Sequence, residues 1–432
     1  MRFFVFFLIS LYSVSTFAEG SYCPLLLGPA PDQASLDAKE FVKAQNVDYS
    51  KGIFLEDIPV SDQGDYGCCW VSSLHGYYNR ITEKVYGYRI GMNDDYTVLM
   101  SLLLRIDEGI YNGEEILQGG WVEGADWIDR NFGMMPAISW RSRLDLQAKG
   151  VGDELVAYLN KEIGKFQKYL LELKGRETPG NKMKVERDAW RMAQDLHTRL
   201  TKELHEMIGT PPSSFTISGK PFTPKSFMKT LVKDHHSFQT KKIKRAEPRA
   251  RSYSPKAGNT ALVEKQNSLL ELFPDTKDFF GSDNSAYLQG RSSIPAARGY
   301  SLWSLSHPKR NTSETRSVLE METMIHQKLK SGSPVFITVQ MARSYYDNKT
   351  GVMSLQKNGN LFVEDVMVLE KPPGLHAILI TGEYRDYMGG LRGYRIQNTW
   401  GDTVGQRGYY FMDEDYFRAF VIEISTLENQ AK

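Results

Sequence analysis

Three observations predict an α+β protein of two lobes. Residues 153–175 place Leu155, Leu159, Ile163, Phe166, Leu170 and Leu173 at helical spacing. Residues 184–208 repeat the pattern with Trp190, Ala193, Leu196, Leu200, Leu204 and Ile208. From Pro334 onward the apolar period becomes two, and β-branched and aromatic residues take over. A helical first half followed by a β-rich C-terminal part puts a cleft between the lobes.

The chain has 432 residues, enough for two or three packed units. Hydrophobic residues make up 41% and charged residues 24%, as in ordinary globular proteins. A formal net charge of +1 excludes a global bias toward nucleic acid or anionic membrane.

In chain order, residues 1–18 read as a secretory signal. Arg2 supplies a positive start, Phe3 to Val14 an apolar run, and Thr16-Phe17-Ala18 a small-residue cleavage site. An uncleaved anchor is the alternative, although the run is short for a span. After cleavage no membrane span is expected, and the mature protein should be secreted or periplasmic. Residues 19–50 form an N-terminal leader. Residues 51–148 form a helical lobe, with one helix starting near Cys69 and a second from Tyr96 to Asp107. Residues 149–310 are a mainly helical insertion. Thr178-Pro179-Gly180-Asn181 turns its two long helices into an antiparallel hairpin. The insertion then becomes loop-rich from 209 and basic over Lys220 to Arg251. Residues 311–426 form the β-rich lobe. Its expected strands are Val335–Gln340, Ala377–Tyr384, Gly393–Gln397, Gly408–Met412 and Phe420–Ser425. Residues 427–432 are a short tail.

Three cysteines are present, Cys23, Cys68 and Cys69. An odd count in an exported chain leaves at least one free or intermolecular thiol. Adjacent Cys68 and Cys69 are poorly placed to bridge each other. Whether Cys23 and Cys68 pair is left open.

Cys69 is the candidate nucleophile, at a helix N-terminus where a thiolate is stabilised. His376, opening the apolar run Ala377-Ile378-Leu379-Ile380, is the candidate base that takes the thiol proton and returns it to a leaving amine. Asn398 should hold the imidazole in one tautomer, and Trp400 should cover that contact. Gln63 should donate its side-chain amide to an oxyanion, with the Cys69 backbone N–H as second donor. Trp70 follows the nucleophile as a supporting residue. Gly119 and Gly120, before Trp121, should leave a backbone edge open to an extended peptide. No metal motif, phosphate loop, dinucleotide fingerprint or CxxC occurs, and no metal or organic cofactor is expected.

The order Gln63, Cys69-Trp70, His376-Ala377, Asn398-Thr399-Trp400-Gly401 resembles the papain superfamily of cysteine peptidases. Gly119-Gly120-Trp121, Asn131 to Pro136, Gly209 to Phe215, Thr223 to Phe227 and Gly408 to Met412 are similar to its bleomycin hydrolase, or aminopeptidase C, branch. The resemblance implies a papain-like two-lobed fold with a long helical insertion, and an exported peptidase acting on peptides or proteins through a thioester acyl-enzyme. A papain-like scaffold that binds peptide or nucleic acid without efficient turnover is one alternative, and an acyl transferase using the same thiol is another. Nucleic acid is the less favoured partner, since a solvated charge run accounts for Lys220–Arg251. In this sequence Tyr66 and Cys68 depart from that branch, and Cys68 beside the nucleophile suggests redox sensitivity. Members of the branch end in an arm that enters the cleft and enforces aminopeptidase action. Here only Thr426 to Lys432 follow the last strand, so exo- or endopeptidase mode and oligomeric state stay open.

Overall fold

The computed structural model describes residues 42, 46–232, 236–243, 269–272, 311–315, 317–341, 345–355 and 375–429. The expected signal sequence, Cys23 and the basic residues after Ile243 lie outside this set.

Strand β1 (Val47–Phe54) precedes helices α1 (Cys69–Tyr86), α2 (Asp94–Asn112), α3 (Val122–Phe132), α4 (Val151–Gly175) and α5 (Lys182–Ile208). A two-stranded ribbon follows, β2 (Phe215–Ile217) with β3 (Lys220–Phe222), and then α6 (Pro224–Leu231) and β4 (His236–Ile243). The C-terminal part holds β5 (Asn311–Thr315), α7 (Val318–Lys330), β6 (Val335–Gln340), β7 (Tyr346–Asp347) and β8 (Val352–Met353). It ends with β9 (Leu375–Asp386), β10 (Leu391–Gln397), β11 (Tyr409–Asp413), α8 (Glu414–Phe420) and β12 (Val421–Asn429).

The expected hairpin forms from α4 and α5. Every stripe residue named on α4 is buried, as are Ala193, Leu196, Leu200, Leu204 and Ile208 on α5. Each such Leu or Ile contributes about 1.5–3 kcal/mol by leaving water. Trp190 is half-buried and stacks on Tyr111 of α2 at 5.6 Å between ring centroids.

One sheet runs in the order β5-β4-β12-β6-β9-β10-β11-β8-β7, with β1 paired to β9. All its ladders are antiparallel except β4–β5 and β11–β8. Over Ala377–Ile380 strand β9 is buried on both faces, which is why that part of its sequence is a continuous apolar run. Ala377 and Leu379 join the core of the helical lobe, whereas Ile378 and Ile380 join the second core beneath α7 and α8. The same alternation splits β6, with Phe336 facing the helices and Val335, Ile337 and Val339 facing the second core.

Several elements differ from the sequence expectation, among them β2, β3 and α6 in the segment read as loop-rich, and β12, which runs to Asn429 through residues read as tail. Strand β4 occurs in a segment read as loop-rich. Phe238 and Thr240 are buried on either side of exposed Gln239, and the strand's ladder partner β12 lies far away in sequence. Residues 414–420 form α8 ahead of β12. Asp413 caps that helix by accepting from the Tyr416 N–H, and Glu414 and Asp415 occupy its first turn. Strand β1 begins within the segment read as a leader.

Candidate active site

Helix α1 starts at Cys69 with Cys68 in the cap position, and the Cys68 side chain makes no capping hydrogen bond. No acidic residue occupies its first turn, so no carboxylate of that turn offsets the positive end of the helix beside Cys69. The helix is anchored by Val71, Leu74 and Tyr78, all fully buried. Gly76 permits its close approach to the sheet, because a Cβ there would lie 3.0 Å from the Gln397 amide nitrogen and 3.3 Å from Leu379.

His376 sits near the start of β9, opposite Val339 of β6, and is fully buried. Its Nε2 lies 2.7 Å from Asn398 Oδ1. The imidazole stacks on the Trp400 indole at 4.7 Å between centroids and 22° between planes. Asn398 is itself fixed: its Oδ1 accepts from the Thr399 N–H at 2.8 Å, and its own N–H donates to Gly408 O at 3.0 Å. The neighbouring Ala377 N–H donates to Cys69 Sγ at 3.5 Å. Cys69 and His376 both line one open groove. Gly67, Gly119, Gly120, Trp121, Val122, Thr338, Leu375 and Ala377 complete its walls.

Gly119 and Gly120 line this groove, as the sequence suggested. Gly120 has a packing reason as well, since a Cβ there would fall 2.6 Å from the Trp70 indole. Trp70 donates its Nε1–H to Gln118 O at 3.2 Å and lies under the Arg105 guanidinium. Arg105 in turn donates to the carbonyls of Leu117 and Gly119 at 2.6 Å each. The Gly119–Gly120 edge is thus clamped from behind.

Gln63 is buried and is not among the groove's lining residues. Its Nε2 donates to Tyr66 O at 2.9 Å, and its Oε1 accepts from the Thr399 hydroxyl. These two bonds fix the side chain between the Cys69 loop and the Asn398 loop. Backbone pairing joins the two loops: Gln63 N–H to Thr399 O at 2.8 Å, Gly401 N–H to Ser61 O at 3.0 Å, and a bridge between Asp62 and Trp400. Ser61 and Asp62 are not among the site residues expected from sequence, and Thr399 enters there only as part of the Asn398 motif. Their neighbours in the Gln63 and Asn398 motifs were the available signal.

Cys68 is a free thiol, buried, with its sulfur 3.8 Å from the Ser72 hydroxyl. Burial first, and Asp94 second, push its pKa well above the usual thiol value. Beneath α1, His75 Nδ1 lies 2.6 Å from Asp94 and Nε2 3.3 Å from Asp129. Burial alone would favour neutral imidazole, but the Asp129 and Asp94 carboxylates outweigh it and raise the pKa to about 10. His75 is thus a structural cation. His197, on α5, lies 3.0 Å from Asp107 of α2. Among the described residues no group of His, Cys, Asp and Glu could hold a metal ion, and no helix is long and apolar enough to cross a membrane.

The Peptidase C1-like family matches residues 310–430, which carry His376 and Asn398. Over 107 residues the chain is 32% identical to aminopeptidase E of Lactobacillus helveticus, and over an alignment of equal length 31% identical to aminopeptidase G of Lactobacillus delbrueckii subsp. lactis. Each alignment covers 22% of this chain and 24% of the relative. The chain therefore aligns with about a quarter of the length of these curated relatives. The crystal structure of PepW from Lactobacillus rhamnosis HN001 superposes with a TM-score of 0.59 at 15% identity, covering 90% of this chain and 84% of that one. That likeness carries the fold.

Proposed function

We propose, from the premise that this chain has the α+β fold of the papain superfamily, that it is a cysteine-type peptidase using Cys69, His376 and Asn398. The observation that carries the reading is the 2.7 Å contact of His376 Nε2 with Asn398, made by a ring that lines the same groove as Cys69. With Nε2 held by Asn398, Nδ1 is the nitrogen that exchanges the thiol proton. Cys69 passes its proton to His376, and the thiolate attacks the peptide carbonyl carbon. For the resulting oxyanion the reading assigns the Cys69 backbone N–H, at the start of α1, and the side-chain amide of Gln63 on its place six residues before the nucleophile in the sequence. The imidazolium then protonates the leaving amine as the C–N bond breaks. Water, deprotonated by His376, hydrolyses the thioester. Gly119 and Gly120 present backbone to an extended substrate.

The test is labelling by an epoxide-type thiol inhibitor, located by mass spectrometry, together with hydrolysis of peptides with free and blocked N-termini. Stoichiometric modification at Cys69 that is lost in His376→Ala supports the reading. Absence of both labelling and hydrolysis under reducing conditions refutes it. Added amine separates hydrolysis from acyl transfer. Export belongs to the same proposal, resting on the signal-like residues 1–18, and predicts a secreted or periplasmic product beginning at Glu19.

A further inference from the structure

Resting on the peptidase reading, we propose that Arg105 is a positioning residue for substrate: its guanidinium holds two carbonyls of residues 117–119 and so aims the Gly120 N–H at a carbonyl of the bound peptide. Arg105 lies on α2 and is partly buried. Its Nη1 donates to Leu117 O and its Nη2 to Gly119 O, both at 2.6 Å, and its Nε donates to the Ser101 hydroxyl at 3.1 Å. Both Nη groups belong to one rigid planar fork, so the guanidinium itself sets the spacing of the two carbonyls. Hydrogen bonds from an ionised donor are the short, strong kind, as these two are. Glu108, one turn further along α2, is uncharged near neutral pH, because burial raises its pKa to about 9. The strong contacts of the guanidinium are therefore the carbonyls.

The carbonyl between them is held as well. Trp70, beneath the guanidinium, donates its Nε1–H to Gln118 O at 3.2 Å. The Gln118 side chain accepts from the Gly67 N–H at 2.7 Å and donates to Asp153, at the start of α4, at 2.6 Å. Residues 117–119 are thus tied to α2, to the loop before Cys69 and to the helical insertion. In a trans peptide the C=O and the N–H point opposite ways. With the Gly119 C=O turned back to Arg105, the Gly120 N–H points away from Arg105, toward the groove that both glycines line. That N–H finds no acceptor among the described residues. The groove therefore offers a preset donor on the wall it shares with Cys69, and a backbone carbonyl is the acceptor an extended peptide brings to it.

The experiment pairs a change in the protein with a change in the substrate. kcat/KM is measured for the native enzyme and Arg105→Met on a parent peptide. It is measured again on analogues in which each acyl-side carbonyl other than the scissile one is replaced in turn by CH2. Expected for Arg105→Met is a fall of about tenfold on the parent, the scale of one misdirected hydrogen bond, and of at most about twofold on the analogue that lacks the carbonyl facing Gly120. Arg105→Lys, which keeps the charge but loses the fork, should show the same pattern more weakly. Alkylation of Cys69 by iodoacetamide should stay within about twofold of the native rate in both variants. A fall equal on the parent and every analogue marks a merely structural role and overturns the inference. So does the absence of any fall, or a matching fall in the alkylation rate, which would place the effect at the nucleophile. Where circular dichroism shows Arg105→Met unfolded, Arg105→Lys carries the comparison. Where the native chain cleaves no peptide, calorimetry of Cys69→Ala with and without Arg105→Lys reads the same pattern as affinity. Its presence there sustains the inference while refuting the peptidase reading, and its absence overturns the inference.

Discussion

The backbone N–H of Ala377 points at the sulfur of Cys69 from 3.5 Å, joining residues 308 positions apart in sequence. A donor so placed favours the charged form of the sulfur, since hydrogen bonds to ionised acceptors are roughly twice as strong as neutral ones. On the proposed reading, the residue that follows the candidate base would support the thiolate that base creates. Cys68, one residue away, has the opposite environment, with burial and Asp94 holding its proton on.

Alkylation should distinguish the two thiols. Brief treatment of the native protein with iodoacetamide near neutral pH is expected to modify Cys69 at least about tenfold faster than Cys68, because the thiolate is the reactive species. Peptide mapping by mass spectrometry checks this. Cys69→Ala should lower kcat by about a thousandfold or more, as removal of a nucleophile does.

Trp400 is expected to matter for turnover more than for substrate affinity. Trp400→Ala uncovers the His376–Asn398 contact and removes a ring stacked at 4.7 Å. A fall in kcat of about tenfold, with KM little changed, is the expected kinetic result when geometry in the transition state is loosened. The same cavity should cost about 3–5 kcal/mol of stability, read by urea unfolding.

Gly120→Ala should damage the groove through Trp70. The new Cβ would sit 2.6 Å from the indole, closer than packing allows, so the ring or the Gly119–Gly120 edge must shift. Overpacking of this kind costs about 1–3 kcal/mol. The kinetic expectation is a raised KM for peptides that pair with this edge, measured against a small ester that does not.

His75 should make stability depend on pH. Its folded pKa, about 10, lies above its ordinary value of 6.5. Its stabilising contribution is therefore fully present below pH 6.5 and is lost as pH rises through about 10. Thermal unfolding followed over that window should show a falling Tm that flattens in His75→Gln. That variant should also lose about 3–5 kcal/mol near neutral pH, because Asp94 and Asp129 are left without their cation.

Much of the site was legible because its signals are local. A cysteine before Trp70, Val71, Leu74 and Tyr78 marks a candidate nucleophile at a helix start, where the structure has it. A histidine opening Ala377-Ile378-Leu379-Ile380 marks a candidate base on a buried strand. Asn398 before Thr399-Trp400-Gly401 marks an amide in reach of that histidine, beside an indole stacked on the ring. The α4–α5 stripe was equally readable, since burial on one face imposes the helical period directly.

The amino-acid sequence by itself determined the chemistry-bearing residue types, the helices that carry a strong period, and the change to strands after Pro334. Only the tertiary structure decided what depends on pairing distant segments. It seated Ser61 to Gln63 against Thr399 to Gly401, turned the polar run His236–Ile243 into a strand beside β12, and set Asp94 and Asp129 around His75. It also put Glu423 behind Thr338. Helical period and turn chemistry act over a few residues and are written into them. Register, cross-strand partners and the company of a buried charge are settled by which surfaces meet, and no local stretch of chain encodes that alone.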